Sequence, residues 1–183
     1  MTLETENHKY RVYKFGGTSV GSAEMLAQVL ELIRAGAGDG PLAVVVSAMG
    51  KTTDLLIDAL NAASRGDLEG ASRVVDRIAD ETTGTGLLVK RELPESQHNS
   101  HGIEITPLVR EHLEELRTLL GGVALLREKT PQTMDVVLSF GERLSAAIIA
   151  GLLEESGVPS LFVDARSWLV TDDSFGDARV DRP

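Results

Sequence analysis

Residues 11–20, Arg11-Val12-Tyr13-Lys14-Phe15-Gly16-Gly17-Thr18-Ser19-Val20, set the fold at its first boundary. A β-prone run carrying one lysine breaks into two glycines and two hydroxyls, and a helical pattern comes next. Glycines let backbone N–H groups approach an anion closely, a helix start adds its positive dipole end, and a lysine adds a full charge. That order suits a phosphate site. On composition alone it equally suits a β-turn entering a helix, with Lys14 merely solvated.

Working outward, the spacing predicts a helix from Ser22 as N-cap to Ala35, with Met25, Val29, Leu32 and Ile33 on one face and Gly36, Gly38 and Gly40 closing it. Leu42 to Val46 is a continuous apolar run, the pattern of a strand covered on both faces. Ser47 to Thr52 then leads into a helix from Thr53 to Arg65, stopped by Gly66. Residues 68–80 read as helix and residues 82–104, rich in Gly, Thr, Ser and His, as loop or broken helix. Thr106-Pro107 forms an N-cap and N1 pair for a helix whose stripe is Val109, Leu113, Leu116 and Leu120, up to Gly121-Gly122. Another helix is expected from Ser139 to Ser156 with Gly157 after it, then a third strand at Leu161-Phe162-Val163 and an acidic, irregular tail after Thr171. Strands alternating with helices in this way make an α/β fold with a mainly parallel sheet. Ligands of such sheets sit beyond the carboxyl ends of the strands, where the loops 15–19 and 47–53 both fall.

The 183 residues, 42% hydrophobic and 25% charged, suffice for one domain with an aliphatic core, since only 4% are aromatic. Cysteine is absent, which excludes disulfides, Cys-based zinc sites and thiol catalysis. The polar start, Met1 to Lys9, reads as a flexible N-terminus rather than a signal sequence, and no apolar run of membrane-spanning length is expected. A cytoplasmic enzyme fits. The net charge of −10 would repel nucleic acid, so no nucleic-acid partner is expected. Any nucleotide site must then be a local basic island, which singles out Lys14 and Lys51 among only five lysines. His8, His98, His101 and His112 have no metal-ligand spacing, and no metal is assigned to them.

Three segments carry the candidate chemistry. In the first, Lys14 would meet the β- and γ-phosphates while the amides of Gly16 and Gly17, with Thr18 and Ser19, cradle them. The second, Ser47-Ala48-Met49-Gly50-Lys51-Thr52-Thr53, ends like a Walker A motif, but that motif needs glycine where Val45 stands. Thr53 read by itself is a helix N-cap. The third is Ser139-Phe140-Gly141-Glu142-Arg143-Leu144-Ser145, where Glu142 by position alone is an acid in the first turn of a helix.

Together the strings K-F-G-G-T-S-V, S-A-M-G-K-T-T-D-L-L and S-F-G-E-R-L-S resemble, in the same order, the three N-terminal motifs of the aspartokinases, members of the amino-acid kinase superfamily. A looser similarity at Val163-Asp164-Ala165-Arg166 and Thr171 to Gly176 points toward the monofunctional, lysine-pathway type. The resemblance implies a three-layer α/β sandwich, of which residues 10–183 would be the N-terminal, amino-acid-binding lobe, truncated at its C-terminus. It implies ATP as phosphoryl donor with substrate-bound Mg²⁺, L-aspartate as acceptor, and a homo-oligomer for the full-length enzyme. It implies Lys14, Gly16, Gly17, Thr18, Ser19 and Ser47 at the phosphates, Lys14 being catalytic. Thr53 would hydrogen-bond aspartate, and Glu142 would accept hydrogen bonds from its α-ammonium. The reaction implied is phosphorylation of the β-carboxylate to 4-phospho-L-aspartate, the first step toward lysine, threonine and methionine. The alternatives are another amino-acid kinase, acting on glutamate, acetylglutamate or a nucleoside monophosphate, or a non-catalytic binding or oligomerisation module.

Overall fold

A computed structural model describes residues 11–92 and 107–181. The expected flexible N-terminus, the Thr106 cap, His8, His98, His101 and most of the expected 82–104 loop lie outside them. Strand β1 (Arg11–Phe15) is followed by a 3₁₀ turn (Gly17–Val20), helix α1 (Ala23–Ala37) and strand β2 (Leu42–Val46). Helices α2 (Thr52–Ser64), α3 (Leu68–Glu92), α4 (Pro107–Leu126) and α5 (Pro131–Glu155) complete the set, with a 3₁₀ turn at Ala165–Ser167. The α/β class and the parallel pairing hold: β1 and β2 run parallel, with Lys14 opposite Val45 and Phe15 opposite Val46.

The helices gather on one face of this pair. Tyr13, Phe15, Val44 and Val46 turn toward them, while Val12, Lys14, Ala43 and Val45 on the other face are exposed. The expectation that β2 is covered on both faces therefore does not hold, since Val45 is 51% and Val12 64% exposed. β-branched residues in an unbroken run report strand propensity, and they do not say which layers lie above them. Helix α1 also differs in detail. Its buried face is Ala23, Leu26, Val29, Leu30 and Ile33, so Val29 and Ile33 are on the expected face whereas Met25 and Leu32 are exposed.

Three helices are longer than their sequences suggested, α4 running on through Gly121-Gly122 to Leu126. α3 continues through the threonine- and glycine-rich residues 82–92. Thr82 donates to the Ile78 carbonyl at 2.7 Å and Thr85 to that of Glu81 at 2.9 Å, so hydroxyls that favour loops are here bonded back into the helix. α5 starts at Pro131, with Thr130 capping the Thr133 amide, two turns before the expected start at Ser139. Its apolar stretch is long enough to cross a membrane by length and composition, contrary to the sequence expectation, but most of that stretch is buried among the other helices. Phe140, Leu144, Leu56, Leu60, Ile78, Leu116 and Leu120 are sealed from solvent around it. Each such side chain contributes about 1.5–3 kcal/mol of burial.

The expected third strand is absent among the described residues. Leu161 and Val163 are 84% and 57% exposed, and Phe162 alone turns inward, against His112. The alternation is that of a strand, but β1 and β2 pair only with each other, and a strand without a neighbour has no ladder to join. The acidic tail is irregular as expected, closed on itself by a bridge between Thr171 and Val180.

Candidate active site

At the carboxyl ends of β1 and β2 the chain makes two loops side by side. The Ser47 amide donates to the Phe15 carbonyl at 3.0 Å, extending the ladder one step beyond the strands. Lys14 lies on the open face, its Nζ 3.5 Å from the Ser47 hydroxyl, a long contact that leaves the ammonium available. A Cβ added at Gly17 would sit 3.1 Å from the Ala48 carbonyl oxygen, so this close approach of the loops favours glycine there.

The helix start behind the glycines is the one the sequence predicts, with Ser22 as its N-cap, but it is set back from Gly16-Gly17. α1 begins only at Ala23, and its first turn is already capped by the Ser22 hydroxyl, which accepts from the Met25 amide. Gly16 leads instead into the 3₁₀ turn, whose ladder opens with Ser19 N–H donating to Gly16 O at 2.9 Å. The amides of Gly17 and Thr18, at the head of that turn, have no place in its ladder. They are the donors a phosphate could use.

Helix α2 offers a second anion-facing end. Its N-cap is Lys51, which gives no side-chain cap bond, and the Thr52 amide donates back to Met49 O at 3.0 Å. Thr53 is therefore not the N-cap. It stands one residue inside the helix and is exposed, whereas Thr52 is buried. The first-turn amides at Thr53 and Asp54 precede the helical ladder. Lys51, the other lysine of the expected basic island, is exposed at the same end.

The third segment approaches from α5. Gly141 abuts the second loop so closely that a Cβ there would lie 2.7 Å from the Ala48 Cβ. One turn on, the buried Ser145 hydroxyl accepts from the Met49 amide at 3.0 Å and donates to the Gly141 carbonyl at 2.9 Å. All three segments thus meet around Ala48. Glu142, next to Gly141, is exposed and lies in the middle of α5, not in a first turn. The helix-start explanation of that carboxylate is removed.

Sequence reading missed a charged cluster behind Glu142. Arg143 is buried, with its guanidinium over the Phe140 ring at 4.4 Å, and it donates to Glu115 on α4 and to His112 Nδ1 at 3.4 Å. Its Nε is 3.4 Å from Asp164, which also pairs with Arg166 at 2.7 Å. The cluster ties the 157–168 segment to α4 and α5. The hydrogen bond from Arg143 holds the Glu115 carboxyl below its ordinary range, and that from Arg166 does the same for Asp164. Because a guanidinium only donates, His112 Nδ1 is the acceptor and the ring proton sits on Nε2, which is buried without a hydrogen-bond partner among the described residues.

Burial, reinforced by Arg143, lowers the His112 pKa, against the opposing pull of Glu115, Glu111 and Asp164. Above the unfolded value of 6.5 the ring is neutral in both states and costs nothing. As pH falls below that value, the unfolded chain takes up a proton that the folded one resists, so stability drops. Glu115 and Asp164 contribute stability above their unfolded values, and they add their own loss only as pH falls through their lowered folded values. Urea midpoints are therefore expected to decline between about pH 7.5 and about pH 5.5, and His112→Gln should flatten that decline. An unchanged slope in the variant would mean that His112 is not the group responsible.

Among the described residues no cluster of three His, Asp or Glu side chains could hold a metal ion.

The sequence profile of the Amino acid kinase family matches residues 9–182. Aspartokinase 3, chloroplastic, of Arabidopsis thaliana is 35% identical over 178 residues, which are 97% of this chain and 30% of that protein. The aspartokinase of Chlamydia pneumoniae is 31% identical over 164 residues, 90% of this chain and 32% of that one. Among solved structures, that of E. coli aspartokinase III in complex with aspartate and ADP superposes with a TM-score of 0.72 at 25% identity. The match covers 94% of this chain and 35% of that one. The chain spans about a third of the length of these two relatives.

Proposed function

The chain belongs to the amino acid kinase family, and from that premise we propose that it is the N-terminal, amino-acid-binding lobe of an aspartate kinase. The observation that carries the reading is the meeting of three motif segments around Ala48, at the carboxyl end of a parallel strand pair. Its similarity to aspartokinases from plants and bacteria supports aspartate as the acceptor. The exposed Val12, Val45, Leu161 and Val163 suit a lobe whose remaining layers belong to the rest of the domain.

In this reading a β-carboxylate oxygen of L-aspartate attacks the γ-phosphorus of ATP in line. The bond from that phosphorus to the β,γ-bridging oxygen breaks, and ADP leaves. The attacking carboxylate is already ionised at neutral pH, so no strong general base is needed, and catalysis is positioning and charge neutralisation. Lys14 and the amides of Gly16 and Gly17, with Thr18, Ser19 and Ser47, meet the phosphates. Thr53 and the start of α2 face an aspartate carboxylate, and Glu142 receives its ammonium. Mg²⁺ would be held mainly by phosphate oxygens and water, offsetting the charge that the transfer concentrates there. The product is 4-phospho-L-aspartate, the entry to lysine, threonine and methionine synthesis. Cytoplasmic location and a homo-oligomeric full-length enzyme belong to the same proposal.

The test is ADP release by a protein carrying this segment at its relatives' full length. Turnover is expected with aspartate and not with glutamate, acetylglutamate or a nucleoside monophosphate. The 183-residue chain by itself is expected to turn over little or no ATP, because so much of its relatives' length lies outside it. Robust aspartate-dependent turnover by the isolated chain would show that the catalytic residues have been misassigned. A non-catalytic binding module is the second reading, and it predicts no turnover at either length.

A further inference from the structure

We infer that Ser145 is a positioning residue for the amino-acid substrate, holding the 47–53 loop at a fixed distance from Glu142. The inference rests on the aspartate kinase reading above and adds to it a residue that touches no substrate. Its hydroxyl is 1% exposed and joins two points 96 residues apart in sequence, donating to the Gly141 carbonyl of its own helix and accepting from the Met49 amide. Met49 sits between Ser47 and Thr53, and Gly141 adjoins Glu142. One buried hydroxyl therefore ties the backbone that presents Thr53 to the backbone that presents Glu142. The tie is close on all sides. Gly141 leaves no space for a methyl group against Ala48, and Ala48 in turn is 7% exposed.

A buried amide that loses its acceptor must find another or move toward water. Without the Ser145 hydroxyl, the Met49 amide has that choice only by shifting the loop. The distance between the ammonium-binding carboxylate and the carboxylate-binding helix start then changes, while β1 and Lys14 stay where they are. Aspartate binding should suffer, and ATP binding, held mainly by Lys14 and the glycine loop with Ser47 a lesser contact, should change little. General damage to the fold has a different signature, since a smaller active fraction lowers apparent kcat and leaves KM alone.

The experiment uses the full-length protein and measures kcat, and KM for aspartate and for ATP separately. Ser145→Ala is expected to raise the aspartate KM roughly tenfold, the size of one lost buried hydrogen bond, with the ATP KM within about twofold. Ser145→Thr keeps a hydroxyl that can still bond the Gly141 carbonyl of the preceding turn and should recover most of the loss. Gly141→Ala perturbs the same contact by a different route and should raise the aspartate KM as well. Adding Ala48→Gly removes the Cβ that a residue-141 side chain would meet, and should restore it. This pair decides the matter even if Ser145→Ala does not fold. Aspartate-dependent turnover with an unchanged aspartate KM in Ser145→Ala, or in Gly141→Ala should the former not fold, overturns the inference alone. No aspartate-dependent turnover by the parent overturns the function and this inference together.

Discussion

Lys14→Ala in the full-length enzyme is expected to lower kcat by about 10²- to 10³-fold, the range for losing one preorganised charge that faces a developing one. The strand fixes this lysine. Lys14 is one residue from the end of β1, in register with Val45, and its side chain leaves the sheet on the face away from the core. Among the described residues its polar contact is the 3.5 Å approach to Ser47, too long to compete with a phosphate oxygen. Folding should be unaffected, because the side chain is exposed and removes no apolar surface from water. A variant with near-normal kcat would make Lys14 a surface residue and end the phosphate-loop assignment.

The loops are legible in the sequence because their signals are local. Gly16-Gly17 after a β-prone run and Ser47-Ala48 after another are punctuation that needs no tertiary knowledge, and both loops lie at strand ends as expected. The parallel pairing comes from the helix between the strands. Sequence and structure part where a neighbour decides the outcome. Leu161-Phe162-Val163 alternates like a strand yet has none to pair with among the described residues, and Val45 has no layer above it there. At α5, Thr130-Pro131 carries the same cap-and-proline signal as Thr106-Pro107, and Gly141 lies deep inside the helix. That glycine is not a boundary. It is the point where a helix touches a loop, and only the fold says so.

Ser145 and Arg143 lie inside a motif whose string does not reveal their roles, for the same reason. A hydroxyl or a guanidinium in a helix has no visible partner in sequence when the partner is 96 residues away or on another helix. The threonines of α3 mislead in the opposite direction. Their side chains compete with helix in general, and the burial of Val89 and Ile78 on the same helix outweighs that tendency here.

Glu142→Gln is expected to raise KM for aspartate by about ten- to hundredfold while leaving KM for ATP within about twofold, since a charge-assisted hydrogen bond is worth about 1.5–3 kcal/mol. Sequence alone permits a rival account, in which the acid merely complements the dipole of a helix start and the substitution costs about 0.3–1 kcal/mol of stability. The fold removes its premise, because α5 begins at Pro131 and Glu142 is three turns inside it. Among the described residues no charged partner holds the side chain either, and it is exposed beside the Gly141–Ala48 contact. An exposed mid-helix carboxylate without a structural duty can be made neutral at little cost to folding. Any large effect must therefore come from what binds it. Glutamine preserves the shape and one acceptor oxygen and removes the charge, so the loss should fall on the ammonium-bearing substrate and not on the nucleotide. Equal losses for both substrates would instead mean that the substitution disturbs the site as a whole and not the ammonium contact alone. An unchanged aspartate KM would leave the α-ammonium without its assigned partner and end the aspartate-pocket assignment.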